Sequence, residues 1–303
     1  SLGKNTETGK YEYISKTGFK RKSDAKHQAE MIERQLRNGE YIPPSSSTFK
    51  QVADEWLSQY AKDVKISSVR TREKAIKHVL EHFGTKPIQS ITKRDYQAFI
   101  DNISAKYSDS YVTGIMTTTN MIFKYALEMR LIKTLPTKNI KRPKKKVTVE
   151  ELEGNEIKQK FLEKEELVQF LEVAKNYHAP KNSFELFTTL AYTGLRIGEL
   201  QALKWSDIDF DNNTISITKT YFNPTNHKKK YQLLPPKTES SVGKISVDHN
   251  VIEMLKDYKL NVQDTWKNEL YVDNNFVFTD VNGYPLVLTK LDSGNNAKDR
   301  YNQ

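Results

Sequence analysis

A chain of 303 residues is long for a single domain, and two or three domains are the natural expectation. Its 48 Lys and Arg outweigh 38 Asp and Glu, giving a formal charge of +10, an isoelectric point near 9.3 and a mean hydropathy of −0.72. Such a balance points to a polyanionic partner, nucleic acid or an anionic surface. The absence of cysteine excludes disulfides and thiolate metal sites and suits a reducing cytoplasm. No apolar run approaches the length of about 18 residues that a membrane span needs, and no signal peptide is visible, so no membrane role is expected.

Residues 11–38 begin with YEYISKTGF, which alternates like a strand, and Gly18 supplies a turn. Ser23 is expected to cap a following helix with Ala25, Ala29, Ile32 and Leu36 on one face. The run IPPSSST (42–48) reads as a linker. Residues 49–133 read as all helix, four helices in a compact unit. Ile76, Val79, Leu80 and Phe83 share one face, Gly84 and Pro87 stop that helix, and Thr92 caps the next through Tyr96, Phe99 and Ile100. A longer helix spans Ser108 to Met129 despite Gly114 and a threonine run of poor helix propensity. Lys65, Arg70, Arg72, Lys74 and Lys77 form a cationic cluster within this unit.

The stretch KTLPTKNIKRPKKK (133–146) holds seven Lys or Arg, no acid and two prolines. It reads either as a solvated linker or as a basic strap along a phosphate backbone, and the strap is preferred for a chain this basic. Lys141, Arg142, Lys144, Lys145 and Lys146 are its candidate phosphate contacts. From Lys160 the order becomes helix, small sheet, helix. FLEKEELVQFLEVAKNY carries an apolar stripe, SFELFTTLAYTG is a second helix ending at Gly194, and a third runs from about Arg196 to Leu203. WSDIDFDNNTISITKTYF contains a hairpin turn at NN, YQLLPPKTESSVGKISVD reads as strand, turn and strand, VIEMLKDYKL as helix, and NNFVFTDVNGYPL as a short strand and turn.

Phosphate-loop, dinucleotide, zincin and serine-hydrolase motifs are all absent. His78 and His82, four apart on a helix, read as a surface pair and no metal site is expected. Arg196 stands out in TGLRIGELQALKW (193–205) because its neighbours are core residues, and a buried arginine needs a partner. It begins a helix just after a glycine, where backbone N–H groups favour an anion and the guanidinium fork can grip two phosphate oxygens. An ion pair with Glu199, three residues on, accounts for it equally well, and both can hold together.

The segment TGLRIGELQALKWSDIDF resembles the first arginine box of the tyrosine recombinases, the phage and conjugative-transposon integrases, with its T-G-x-R-x-x-E-L followed by L-x-W-x-D-[IV]-D. PPKTESSVGKISV resembles the lysine-bearing hairpin of that family; Lys237 fits the position, with Lys219 and Lys244 as nearby alternatives. The resemblance implies a multidomain, mainly α fold with small β-sheets. It would comprise an arm-DNA-binding unit over 1–41, a helical, SAM-like core-binding domain over 48–133, a basic linker over 134–159 and an α+β catalytic domain of the DNA breaking-rejoining type over 160–303. It implies recombination without metal or other cofactor: a tyrosine attacks a phosphodiester, leaving a 3′-phosphotyrosyl enzyme and a free 5′-hydroxyl. Arg196 would hold the non-bridging oxygens, supported by Glu199, Lys237 would protonate the departing oxygen, and Lys219 could reach DNA. Partners implied are double-stranded attachment-site DNA, further copies of the chain in a tetramer, and an excisionase or host DNA-bending protein, on the bacterial nucleoid within the cytoplasm.

The family's second box, H-x-x-R, and its nucleophilic tyrosine should follow Lys237. NGYPLVLTKL (282–291) resembles the lead-in to that box, yet DSGNNAKDRYNQ then ends the sequence, and Tyr301 reads as a tail tyrosine rather than the nucleophile. The chain is therefore expected to be incomplete at this end and, as written, to bind DNA and cleave it poorly. Two functions follow from this: an integrase, or a catalytically defective DNA-binding remnant or regulator.

Overall fold

In the computed structural model, residues 3–4, 11–143, 161–176, 182–225, 227–238, 241–263 and 267–286 are described. Lys144, Lys145, Lys146 and Tyr301, together with most of the linker and the DSGNNAKDRYNQ tail, lie outside them. The chain divides into two units, Ser1–Val147 and Thr148–Gln303, each built on its own core. The architecture is mainly helical with small antiparallel sheets. No described helix is long and apolar enough to cross a membrane.

The first unit opens with β1 (Gly3–Lys4) paired antiparallel to β2 (Tyr11–Glu12), a much shorter strand than YEYISKTGF suggested. Helix α1 (Lys22–Arg37) starts one residue before Ser23. Its N-cap is Arg21, without a side-chain cap, and no residue of the helix is buried. The amphipathic face of α1 therefore covers no core of its own. Gln35 instead accepts a hydrogen bond from Lys133 Nζ (3.3 Å), which ties α1 to the end of the helical bundle.

That bundle is α2 (Phe49–Asp63), α3 (Ile66–Phe83), α4 (Lys93–Ser104) and α5 (Asp109–Glu128), the four helices the periodicity predicts. Thr48 and Thr92 head α2 and α4 with full capping boxes, their partners being Gln51 and Asp95. The apolar stripes converge on Phe49, Phe83, Phe99, Ile100, Ile115, Ile122 and Phe123, all nearly or fully buried. The threonine run survives inside α5 because Thr113, Thr117, Thr118 and Thr119 each donate to the carbonyl four residues back, at 2.8 Å in each case. Their hydroxyls are thus satisfied within the helix that their propensity would weaken. His78 lies 3.5 Å from Glu81 and packs on Tyr107 and Tyr111, while His82 packs on Phe83 and Phe99.

The second unit begins with α6 (Lys164–Asn176), of which only Leu171 and Ala174 are buried among the described residues; Phe170 and Leu162 of the expected stripe are exposed. Helix α7 (Ser183–Thr193) ends at Gly194, whose φ of +64° gives the left-handed cap. Helix α8 (Ile197–Ala202) follows at once. β3 (Ile208–Asp209), β4 (Thr214–Ile217) and β7 (Gly243–Ser246) form an antiparallel sheet in the order β3-β4-β7, and Asn213, with φ +50°, makes the turn that NN predicts. Between β4 and β7 a separate hairpin, β5 (Thr220–Phe222) and β6 (Gln232–Leu234), leaves the sheet. Helix α9 (His249–Asp257) closes a core of Leu200, Ile215, Ile252, Leu255, Tyr258, Val277 and Phe278. Trp205 donates its indole N–H to the buried Gln263 (3.1 Å), so that neither polar group is stranded.

Candidate functional site

Gly194 lets the chain reverse between α7 and α8, and Arg196 becomes the N-cap of α8 with extended backbone angles. Glu199 stands at the third position of α8. One carboxylate oxygen accepts the Arg196 backbone N–H (2.9 Å) and the other accepts Nη1 of its guanidinium (3.0 Å). The Glu199 side chain is 6% exposed and that of Arg196 is 65% exposed. A buried carboxylate therefore holds the backbone and one arm of the fork while most of the Arg196 side chain stays exposed. The ion pair with Glu199 is present, and because Glu199 takes the Arg196 N–H, an anion at this helix start would meet the guanidinium rather than this amide. Nε and Nη2 make no hydrogen bond among the described residues.

The turn after β6 reaches the same place. Ser241 Oγ accepts a second bond from Arg196 Nη1 (3.0 Å) and shares a hydrogen bond with Thr238 Oγ1 (2.8 Å). Thr238 and Ser241 belong to the K-T-x-S-S pattern, so this turn and the arginine box meet through the guanidinium. Lys237, next to Thr238, is exposed beside buried Pro236 and makes no ion pair among the described residues.

The three lysines weighed for this position differ sharply. Lys219 Nζ lies 2.6 Å from Asp207 Oδ1, with both side chains mostly buried, and Asp207 also accepts the Lys204 N–H at 2.8 Å. Lys219 is thus engaged in an internal ion pair at the root of the β5–β6 hairpin. Lys244 pairs with Asp209 at 3.2 Å. Asp209 is held down to about 2, first by its hydrogen bonds from Asn212 and then by Lys244. Lys237 alone of the three lacks a carboxylate among the described residues.

The start of the basic stretch is docked on the first unit. The Gln97 side chain pairs with the Lys141 backbone, donating to its carbonyl (2.6 Å) and accepting from its N–H (3.1 Å). Arg142 bonds the Asp109 carbonyl (2.7 Å), Thr113 Oγ1 (2.8 Å) and the Asp109 carboxylate (3.2 Å). Lys141 keeps an exposed side chain, whereas the Arg142 side chain is only 27% exposed. Ser241, Thr238, Asp207 and Gln97 were not expected from the sequence. Of these only the serine and threonine carried a signal, as members of the K-T-x-S-S run, residues 237–241, around Lys237.

Residues 48–104 match the phage integrase N-terminal SAM-like domain, and residues 160–289 match the phage integrase family. The integrase of Staphylococcus phage L54a is 28% identical over 272 residues, spanning 85% of this chain and 76% of that protein. The Tn1549 transposon integrase in complex with a circular intermediate DNA superposes with a TM-score of 0.66 at 21% identity, covering 85% of this chain and 79% of that one. A lambda integrase tetramer bound to a Holliday junction gives 0.55 at 17% identity over 96% and 75%. At such identities the structural likeness establishes the fold, and the matched domains and the phage relative establish the lineage. The chain belongs to the phage integrase family, the tyrosine-type site-specific recombinases.

Proposed function

We propose that this chain acts on double-stranded DNA at attachment sites, integrating and excising a mobile element through a 3′-phosphotyrosyl intermediate. Arg196 binds the non-bridging oxygens of the scissile phosphate and neutralises the charge that builds as the tyrosine oxygen attacks. Glu199 is its positioning residue. Lys237 gives a proton to the departing 5′-oxygen as the P–O bond breaks. The observation that carries this reading is the exposed Arg196 fork, held from below by buried Glu199 and from the side by Ser241 of the lysine-bearing turn. Lys141, with Lys144, Lys145 and Lys146, forms the strap along the backbone, and Arg142 and Lys219 serve DNA binding indirectly by fixing the strap and the hairpin. Copies assemble as a tetramer on paired duplexes, with an excisionase or host bending protein setting direction, on the nucleoid. A DNA-binding remnant is the lesser reading, because the relatives matched across both units are integrases.

The test uses a suicide duplex carrying the attachment site, with and without sulfur at the 5′-bridging position. No tyrosine of this sequence is assigned the attack, so a covalent adduct between the unsubstituted chain and either duplex is the outcome that carries the integrase reading over the remnant. Arg196→Ala should lose roughly 10²–10³-fold in rate on both. Lys237→Ala should lose roughly 10²–10⁴-fold on the oxygen duplex and recover on sulfur, which leaves without a proton. Binding without any adduct from the unsubstituted chain would favour the remnant, and no sulfur rescue would remove Lys237 from the acid's role.

A further inference from the structure

We propose that the tip of the β5–β6 hairpin, through Lys229 and Lys230, is a further binding site for the phosphate backbone of duplex DNA, on the second unit and distinct from Arg196 and the basic strap. The proposal rests on the recombinase reading above and adds a contact to it.

Residues 218–238 contain five lysines and no acid. Two of these lysines are neutralised by carboxylates outside the hairpin: Lys219 by Asp207 at its root, and Lys228 by Asp280. Lys228 thereby fastens the tip to the body of the unit. Lys229 and Lys230 are exposed and meet no carboxylate among the described residues; Lys229 lies 5.9 Å from the Tyr284 ring, the outer edge of any cation–π attraction. A cationic segment with its inner charges paired and its outer ones left open presents charge outward.

The described residues around these lysines are braced, which lowers the entropy lost on binding. Tyr221 and Tyr231 stack across the strands at 5.5 Å, and Tyr231 meets Phe276 edge-on at 5.8 Å. Asn223 donates to the Tyr221 hydroxyl (2.8 Å) and the His227 carbonyl (3.3 Å), and the Lys230 N–H closes the turn on that same carbonyl (2.9 Å).

Placement connects the tip to the site. A Cβ at Gly198 would fall 2.5 Å from Thr220 Oγ1, so β5 lies directly on the helix that Arg196 caps. At about 3.3 Å per strand residue, the tip stands roughly 10–20 Å from Thr220. That distance matches roughly three to six phosphate steps of about 3.4 Å along one strand. A duplex held by Arg196 has phosphates at the range of these two ammonium groups.

The experiment compares the unsubstituted chain with Lys229→Gln/Lys230→Gln and Lys229→Arg/Lys230→Arg on attachment-site duplex, by anisotropy across a salt series, with thermal melts to confirm folding. The glutamine pair should flatten the slope of log affinity against log salt by about two, so that between 50 and 200 mM salt it loses about 12-fold less affinity than the parent. The arginine pair should keep the parent slope. Phosphate ethylation within roughly six nucleotides of the cleavage position should weaken the parent and not the glutamine pair. An unchanged slope in a folded glutamine pair overturns the proposal, as does a slope that the arginine pair fails to keep. Failure of the parent to bind duplex DNA would overturn the recombinase reading as well, which separates the two failures.

Discussion

Glu199 accepts from both ends of Arg196, and no neutral side chain of the same shape can do so. In Glu199→Gln the amide offers one acceptor and turns an N–H₂ toward a guanidinium that has only donors. Stability should fall by about 1–3 kcal/mol, since a largely buried group loses a partner. Adduct formation should fall further than stability explains, because the fork is no longer aimed; a loss confined to a melt-matched Ser241→Ala variant would assign the aiming to Ser241 instead. A second carboxylate behaves differently. Glu185 on α7 is half-buried with one oxygen lacking a partner, and burial first, then the Asp257 charge, raises its affinity for a proton. The folded state thus holds this proton more tightly than the unfolded chain. Its contribution favours folding below the ordinary carboxyl range and is lost as pH rises through the raised folded value. Glu185→Gln should therefore raise the melting temperature at pH 8 by more than at pH 4; an equal shift at both would show that the proton is not the cause.

At the scale of elements, two glycines mark where backbone approaches leave no room, and they should fail in different ways. A methyl at Gly198 meets the Thr220 hydroxyl at 2.5 Å and the Tyr221 carbonyl at 3.4 Å. Gly198→Ala should cost about 1–3 kcal/mol, as overpacking does, and Thr220→Ala should restore much of it in the double variant. Gly283 has φ +85° and a methyl there would sit 2.0 Å from the Val272 carbonyl, so Gly283→Ala should cost more and no side-chain removal should rescue it. Denaturant melts of the four variants read both outcomes. These positions also show what a sequence can carry. Asn282-Gly283 reads as a turn, because turn chemistry is local. Gly198 reads only as a weak residue in a short helix, because the strand that needs the space comes from beyond the next turn. The bundle helices were legible for the same local reason, through the cap at Thr92 and stripes that close on one core. Arg196 could be singled out among apolar neighbours, and Glu199 was within one turn of it. Ser241, 45 positions away, could not be paired with it without the hairpin that brings it back. Helix α1 misled in the opposite sense: its stripe has the right period, yet Ala25, Ile32 and Leu36 are only partly buried and Ala29 is exposed.

The whole molecule carries +10, and the salt dependence of DNA binding should come from the part of that charge left open rather than from the total. Lys141 and Arg142 are neighbours in the same basic stretch and test this directly. Gln97 holds the Lys141 backbone and leaves its ammonium outward, whereas the Arg142 guanidinium is engaged by Asp109 and Thr113 at the start of α5. Lys141→Gln should flatten the salt slope by about one and leave the melting temperature unchanged. Arg142→Gln should lower stability by about 1–2 kcal/mol through its lost hydrogen bonds and change the slope by much less. Asp109→Asn supplies the converse: releasing Arg142 from its carboxylate frees a cation, so the slope should steepen while the helical unit melts lower. Salt titrations and melts on the three variants separate a cation that holds the strap in place from one that holds DNA. If Arg142→Gln flattened the slope as much as Lys141→Gln without lowering the melt, Arg142 would be a phosphate contact that exchanges Asp109 for DNA.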